Sequence, residues 1–278
     1  MTLAVGFFDG VHLGHQRILA GADAVLTFKD HPLRVLDPSR APALLMDAGE
    51  RVKLLATVGA KEPRDVHAVR FTRKFATMSP GQFAEYLRGG FPGLDRIHCG
   101  GNWRFGSNGS GTPQTLRSLG FSVKVSRYAK CEGAPVSSTR IRAALADGDV
   151  DLANAMLGRR YSVYGKIVRG KGVGGRIGSP TLNLDVSPPL RLGVYAVVTR
   201  YGRGVANYGV APTMGDDSWS KPVLEIHLID VGKGDEIPAK GNVRVEFARF
   251  LREERKFDDI RALSRQIAVD ITAARLIV

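Results

Sequence analysis

A junction near the start of the chain reads Gly6-Phe7-Phe8-Asp9-Gly10-Val11-His12-Leu13-Gly14-His15. An apolar run that begins at Leu3 precedes it, and residues with helical spacing follow it. Ligands of open α/β sheets bind beyond the carboxyl ends of the strands, and the start of a helix favours anions. Gly10 and Gly14 would let a phosphate chain approach the backbone. We therefore expect a nucleotide phosphate site at this junction.

Two histidines stand at the start of the expected helix. His12 and His15 are three residues apart, so one turn of helix puts them on one face. Two imidazoles there can donate hydrogen bonds to triphosphate oxygens and stabilise the charge of a leaving pyrophosphate. The alternative is an ordinary glycine turn with two incidental surface histidines. Glycines at a strand–helix junction favour the phosphate site.

Strands and helices alternate through the first half of the chain. The pattern predicts strands at 3–8, 24–28, 65–71, 97–100 and 121–125, and helices that begin near His15, Gly49 and Ser79. Ser79 is a hydroxyl N-cap followed by Pro80 at the first helical position. Such alternation predicts a doubly wound parallel sheet of the Rossmann-like kind.

The pattern changes near residue 158. A helix is predicted from Arg140 to Leu157, with Gly158 as its stop. Short β-rich runs follow at 163–168, 194–199, 205–210, 224–229 and 243–250, and a helix over 258–274 closes the chain. Glycines between these runs favour a small antiparallel β-barrel. The fold class is therefore α/β + β, with domains predicted at 1–158 and 159–278.

The composition limits the class of protein. The 278 residues carry a net charge of +13, with 20 basic and 14 acidic residues up to Gly158 and 20 and 13 beyond it. A nucleic-acid-binding protein would usually have its positive charge clustered on one surface. A phosphate-rich small ligand is also attracted by a positive field. No apolar run reaches the ~18 residues of a membrane-spanning helix. With two cysteines and no basic leader, we expect a cytoplasmic protein.

A glycine-rich segment from Gly165 to Leu184 forms the second group of candidate residues. Its loop glycines, among them Gly170 and Gly175, can wrap phosphates, and Lys171 and Arg176 add positive charge. Thr181 and Asn183 alternate on a predicted strand, so both can offer oxygen ligands to Mg²⁺ from one face. The spacing of a Walker loop is missing. A flexible barrel turn is the alternative.

The first group of residues resembles a known family. Gly-x-Phe-Asp-Gly-x-His-x-Gly-His, at 6–15, resembles the flavin adenylyltransferase branch of the nucleotidyltransferases. Thr27–Pro32, Gly101–Gly106 and Val136–Arg142 resemble further motifs of that branch, in the same order. The resemblance implies catalytic roles for His12, His15 and Arg142. It implies nucleotide or flavin binding by Gly6, Phe7, Asp9, Gly10, Gly14, Thr27, His31, Asn102, Ser138 and Thr139.

The last of these motifs also has an explanation that is independent of the family. Ser137, Ser138 and Thr139 can cap a helix and offer backbone N–H groups to phosphate. Arg140 or Arg142 can hold a leaving pyrophosphate. Taken alone, such a sequence is more often a simple N-cap. The four motifs in order favour a functional role.

The second half resembles the riboflavin kinase module. Gly178–Asn183 matches its Gly-x-Pro-Thr-x-Asn motif, and Gly193–Ala196, Ala206–Thr213, Leu224–Leu228 and Leu251–Phe257 follow in family order. The resemblance implies that Glu225 is the base for the riboflavin 5′-hydroxyl. It implies Mg²⁺ ligands Thr181 and Asn183, and ATP or flavin binding by Gly170, Lys171, Gly175, Arg176, Pro180, Asn207 and Arg252. Otherwise Glu225 and His227 are the polar face of a barrel strand.

Together the two resemblances identify a member of the bifunctional prokaryotic flavokinase/FAD synthetase family. They imply that riboflavin and ATP give FMN, and that FMN and a second ATP give FAD and pyrophosphate, with Mg²⁺ as cofactor. Partners are then small molecules, with neither nucleic acid nor membrane; the oligomeric state stays open.

Two alternatives remain. Only 11 residues separate His15 from Thr27, which leaves a first helix of about two turns and allows a kinase with a weak or inactive adenylyltransferase half. The other is a basic nucleic-acid-binding protein with an OB-like barrel.

Overall fold

The structure is a computed structural model that describes residues 1–168, 181–210, 222–231, 240–255, 257 and 260–278. The chain divides into two compact units, Met1–Ser138 and Thr139–Val278. Each unit is described by itself below.

The first unit is built on a parallel sheet with strand order β3-β2-β1-β4-β5. Its strands are β1 (Thr2–Val5), β2 (Ala24–Phe28), β3 (Asp65–Val69), β4 (Arg96–Gly100) and β5 (Ser122–Ser126). Its helices are α1 (Leu13–Leu19), α2 (Leu33–Leu36), α3 (Ala48–Thr57), α4 (Arg73–Ala76), α5 (Pro80–Gly90) and α6 (Pro113–Ser118). A short antiparallel pair, β6 (Lys130–Cys131) and β7 (Ala134–Pro135), follows β5. The predicted doubly wound parallel sheet is confirmed.

Apolar side chains cover both faces of this sheet because successive residues of a strand point to opposite sides. Leu3 of β1 packs with Phe83 and Leu87 of α5, whereas its neighbour Ala4 packs with Leu19 of α1 and other residues on the second face. Burial of each large apolar side chain contributes roughly 1.5–3 kcal/mol. These two layers hold the carboxyl edge of the sheet in place.

The order of the strands locates a crevice at that edge. β1 is the central strand, and the chain passes from it to β2 on one side and later to β4 on the other. The strand order therefore reverses between β1 and β4. In doubly wound sheets such a reversal opens a ligand crevice beyond the carboxyl ends of the two strands. The junction at Gly6–His15 follows β1 directly.

The second unit contains a closed antiparallel barrel with strand order β10-β11-β12-β9-β8-β13. The strands are β8 (Tyr161–Val168), β9 (Thr181–Leu184), β10 (Gly193–Thr199), β11 (Gly202–Gly209), β12 (Val223–Leu228) and β13 (Asn242–Arg252). Helices α7 (Ser138–Asp147) and α8 (Val150–Leu157) precede the barrel, and α9 (Ile260–Ile277) follows it. The outer wall packs against α9 through Val194, Ala196, Val205 and Ala274. The predicted barrel and closing helix are confirmed.

The helix predicted over 140–157 is wrong as one element. Gly148 has φ +83°, which ends α7, and Asp149 starts α8 by accepting a hydrogen bond from the Leu152 amide at 2.9 Å. Glycine adopts this left-handed conformation without steric cost, so the chain turns there. Gly158, with φ +70°, ends α8 as its sequence position predicts.

Helix α8 packs against the barrel. The Asn154 amide donates a hydrogen bond to the Phe247 carbonyl oxygen at 3.0 Å and accepts one from the Tyr161 amide at 2.6 Å. By contacts the chain divides after Ser138, at the start of α7. The domain boundary at 158/159 stays a prediction.

Candidate active sites

The loop after β1 has an unusual backbone. Phe8, Gly10 and Val11 have φ of +59°, +78° and +41°, and the Val11 amide donates to the Phe8 carbonyl oxygen at 3.0 Å. Left-handed backbone is strained for a β-branched residue such as valine. Burial of the Phe8 and Val11 side chains holds this conformation in place. Strain of this kind concentrates at functional sites, and the sequence pattern alone does not indicate it.

The two histidines lie together at the start of α1. Nδ1 of His12 accepts a hydrogen bond from the His15 amide at 3.3 Å, so His12 caps the helix. Their rings stack with centroids 3.6 Å apart and planes 17° apart. A Cβ at Gly14 would lie 3.1 Å from the His12 ring, so glycine there makes room for the ring. Because Nδ1 is an acceptor, the neutral His12 ring carries its proton on Nε2 and can donate from that atom.

The carboxyl end of β2 lies against the same loop. The Thr27 hydroxyl donates to the Phe7 carbonyl oxygen at 3.0 Å, and the Gly6 amide donates to the Leu26 carbonyl oxygen at 3.2 Å. The His31 ring meets the Phe7 ring edge to face at 4.8 Å. The first two motifs, which are apart in sequence, therefore share one edge of the sheet.

Asp9 has a structural partner in the loop before α3. Its buried carboxylate accepts a hydrogen bond from the Leu45 amide at 3.0 Å, and its carbonyl oxygen accepts one from the Ser138 hydroxyl at 2.9 Å. This second bond brings the start of the fourth motif to the first loop. Thr139 and Arg142 follow Ser138 in the first turns of α7.

Asn102 stands just after β4, on the other side of the crevice. Its side chain is exposed, and a Cβ at Gly100 would lie 3.4 Å from Asn102 Oδ1 and 3.7 Å from Ile18 of α1. The end of β4 therefore lies beside α1.

Arg51 of α3 was not expected at this edge. Its guanidinium lies 4.2 Å from the centre of the Phe7 ring and is fully buried. An arginine on an amphipathic helix indicates an exposed position, so no sequence signal marks it.

In the barrel, three polar side chains line up across neighbouring strands. Asn183 of β9 lies opposite Glu225 of β12, and Glu225 lies opposite Asn207 of β11. In the next row Thr181 lies opposite His227. Strand alternation puts these residues on one face of the barrel wall. The alternate residues Leu182, Ile226 and Ala206 point to the other face and are buried.

An ion pair joins strand β13 of the barrel to helix α9. Arg252 Nη2 and Nε donate to the two carboxylate oxygens of Asp270 at 2.7 and 3.0 Å, and Gln266 Nε2 adds a bond of 2.8 Å to Asp270. Asn207 Nδ2 donates to Glu254 Oε1 at 3.4 Å. Arg252 and Asn207, two of the predicted binding residues, are therefore held by carboxylates of their own unit.

His227 lies beside Glu225, and its side chain is buried. Burial lowers the pKa of His227, and the negative charges of Glu225 and Asp270 oppose that effect in part. The imidazole is therefore neutral near pH 7. Within the described ranges its Nδ1 has no hydrogen-bond partner.

The predicted residues of the kinase half fall into two groups. Gly170, Lys171, Gly175, Arg176 and Pro180 lie outside the described residues, so the phosphate-wrapping loop stays a prediction. In the part of the chain that the structure describes, no cluster of three His, Cys, Asp or Glu side chains could hold a metal ion. The predicted Mg²⁺ ligands instead offer a hydroxyl and an amide oxygen on one face, hard donors of the kind Mg²⁺ takes.

Two family models match the chain. The FAD synthetase model matches residues 1–140, and the riboflavin kinase model matches residues 157–278. Between them they include the stacked histidine pair and the row at Glu225.

A solved structure has a similar fold. Its title describes a macrolide-efflux protein from Streptococcus pneumoniae; the TM-score is 0.84 at 26% identity, over 99% of this chain and 93% of that one. Among the described helices of this chain, none is both long and apolar enough to span a membrane.

Curated relatives match almost the whole chain, and each of these is named bifunctional riboflavin kinase/FMN adenylyltransferase. The Bacillus subtilis protein is 32% identical over 97% of this chain and 90% of its own length. The proteins of Pseudomonas fluorescens and Haemophilus influenzae are each 34% identical, over 98% and 99% of this chain and 91% and 93% of their own lengths. The chain therefore belongs to the family of bifunctional riboflavin kinases/FMN adenylyltransferases.

Proposed function

We propose that the parallel-sheet unit transfers an adenylyl group from ATP to FMN, and that the barrel unit transfers a phosphoryl group from ATP to riboflavin. The stacked pair of His12 and His15 at the strand reversal is the observation that supports the first assignment. The row of Asn183, Glu225 and Asn207 supports the second.

For adenylyl transfer, a phosphate oxygen of FMN attacks the α-phosphorus of ATP, and pyrophosphate leaves. Negative charge builds on the leaving group, so donors aimed at it lower the barrier. His12, which can donate from Nε2, and His15 are assigned this role, and Arg142 is assigned to hold the pyrophosphate. Gly10 and Gly14 would let the triphosphate approach the backbone, and Gly6 is assigned to nucleotide or flavin binding. Asn102, Ser138 and Thr139 are assigned to nucleotide or flavin contacts.

For phosphorylation, the nucleophile is the 5′-hydroxyl of riboflavin, which must lose its proton. Glu225 is assigned as the base that accepts it. Thr181 and Asn183 would hold Mg²⁺, and the bound ion would neutralise phosphate charge. Asn207 and Arg252 are assigned to substrate contacts, since both are oriented by carboxylates.

The test is a single assay. The protein is incubated with riboflavin, ATP and Mg²⁺, and riboflavin, FMN and FAD are separated over time while pyrophosphate is measured. FMN should form first, and FAD should follow with one pyrophosphate for each FAD. Absence of both FMN and FAD would overturn the kinase assignment, and absence of FAD from supplied FMN would overturn the adenylyltransferase assignment.

We propose further that the substrates are small molecules alone and that the protein works in the cytoplasm. The even spread of positive charge over both halves supports the first point, and the low cysteine content, two in 278 residues, supports the second. Oligonucleotide binding with a steep salt dependence would contradict the first point.

A further inference from the structure

Arg51 connects two parts of the proposed adenylyltransferase site. Its Nη2 donates to the Phe28 carbonyl oxygen at 2.6 Å and to the Lys29 carbonyl oxygen at 2.9 Å, where β2 ends. Its guanidinium carbon lies 4.2 Å from the centre of the Phe7 ring, which also contacts the His31 ring. One cation therefore holds the loop after β1 and the end of β2 together.

The burial of this arginine needs an explanation. The side chain has 0% relative exposure, and within the described residues Nε and Nη1 have no hydrogen-bond partner. Burial lowers the pKa of Arg51, while the charges of Asp9, Asp47 and Asp30 act in the opposite direction. Removing a guanidinium from water is costly. The bonds to the Phe28 and Lys29 carbonyl oxygens and the contact with the Phe7 ring offset part of that cost, so the buried cation is tied to the two segments that it joins.

We propose that Arg51 is a positioning residue for adenylyl transfer: it fixes the Phe7 ring and the Thr27–His31 segment in the geometry that the nucleotide requires. The inference rests on the proposed function of the His12–His15 junction. Arg51 does not touch the substrate, because its side chain has no accessible surface. It acts through Phe7 and through the two carbonyl groups at the end of β2.

Arg64 provides a matched control in the same unit. It is also a buried arginine, and it also donates to two backbone carbonyl oxygens, those of Leu19 and Val58. Leu19 ends α1, and Val58 follows α3 directly. Helices of this fold return to the amino ends of the strands, so Arg64 lies at the sheet edge opposite to the site.

The experiment compares R51K with R64K in the full-length protein. Lysine keeps the charge but loses the planar fork and the stacking on an aromatic ring. Both variants should lower the melting temperature. Only R51K should lower kcat for FAD formation from supplied FMN. We expect a loss of about 10- to 100-fold, because a displacement of the reacting groups on the order of 1 Å lowers the rate by such a factor. The KM for ATP should change far less, and FMN formation from riboflavin should stay the same in both.

A second comparison shows whether the effect passes through Phe7. In an F7L background, R51K should lower the activity much less than it does alone, because the effects of two substitutions that remove the same contact do not add. R51M, apolar and of similar length, is the variant to use if R51K does not fold.

The results that would contradict the role of Arg51 differ from those that would contradict the proposed site. Equal rates of FAD formation in R51K and R64K would overturn the role of Arg51, and additive effects of R51K and F7L would overturn its action through Phe7. Full activity after replacement of His12 and His15 would instead overturn the proposed site itself.

Discussion

Glu225 is the residue on which the kinase assignment depends most. E225Q keeps the size of the side chain and its place between Asn183 and Asn207, but it removes the proton acceptor. Loss of a general base lowers the rate by about 10²–10⁴-fold, so FMN formation should fall to the limit of detection. The measurement is FMN production from riboflavin by chromatography, at unchanged melting temperature.

The matched control for this variant is E246Q. Glu246 lies on β13, another strand of the same barrel, and outside the row at Glu225. E246Q should phosphorylate riboflavin at the normal rate. An unchanged kinase rate in E225Q would show that the 5′-hydroxyl loses its proton elsewhere.

His12 and His15 are expected to act as donors to the leaving pyrophosphate. The double variant H12A/H15A should lower the rate of FAD formation from supplied FMN by about 10²–10³-fold, the effect of losing a transition-state donor. Phosphorylation of riboflavin should be spared, because Glu225 lies in the other unit. H67A, which removes an exposed histidine from β3, is the control and should change neither reaction. Equal loss of both activities in H12A/H15A would indicate a folding defect.

Contacts that follow from the spacing of residues along the chain can be predicted from the sequence. The shared face of His12 and His15 follows from a separation of three residues, and the structure confirms it. The bond of Asp9 to the Leu45 amide, and the stacking of Arg51 on Phe7, join residues more than 35 positions apart. Such contacts depend on how α3 packs on the sheet, which local pattern does not determine.

The first helix is the element with the most direct consequence for activity. α1 has seven residues, the two turns expected from the short distance between His15 and Thr27. A helix of this length is marginal without tertiary contacts. Here the buried Ile18 and Leu19 supply those contacts, with a bond from Gln16 Nε2 to the Val11 carbonyl oxygen at 3.0 Å.

We expect FAD formation to be slower than FMN formation for this reason. Small displacements of α1 carry the His12 and His15 rings away from a geometry that catalysis needs within ~1 Å. With riboflavin supplied in excess of enzyme, FMN should accumulate before FAD appears. A time course that shows no accumulation of FMN would mean that two turns of helix hold the site well enough.

Elements were predictable where local signals are strong. Ser79 and Pro80 indicate the start of α5, and the structure has the full capping box with Gln82. The break at Gly148 was missed, because apolar residues continue at helical spacing across it and a single glycine is tolerated in many helices. The strand order 3-2-1-4-5 of the parallel sheet depends on pairing between distant segments. The local pattern predicts only the class, a doubly wound parallel sheet.

The whole molecule consists of two compact units, each with its own apolar core. Neither proposed reaction needs a covalent intermediate with the protein, and FMN, the product of one, is the substrate of the other. FMN can therefore reach the second site through solution. Two chains that each lack one activity should then complement each other.

Mixing E225Q with H12A/H15A tests this expectation. Each variant alone should convert riboflavin to FAD only very slowly, because one is impaired in phosphorylation and the other in adenylyl transfer. In the mixture H12A/H15A makes FMN, which is released and then adenylylated by E225Q. FAD should appear after a lag that shortens as the concentration of H12A/H15A rises, since the concentration of free FMN then rises faster. A mixture that makes FMN but no FAD, while E225Q still adenylylates supplied FMN, would mean that FMN is not released between the two reactions.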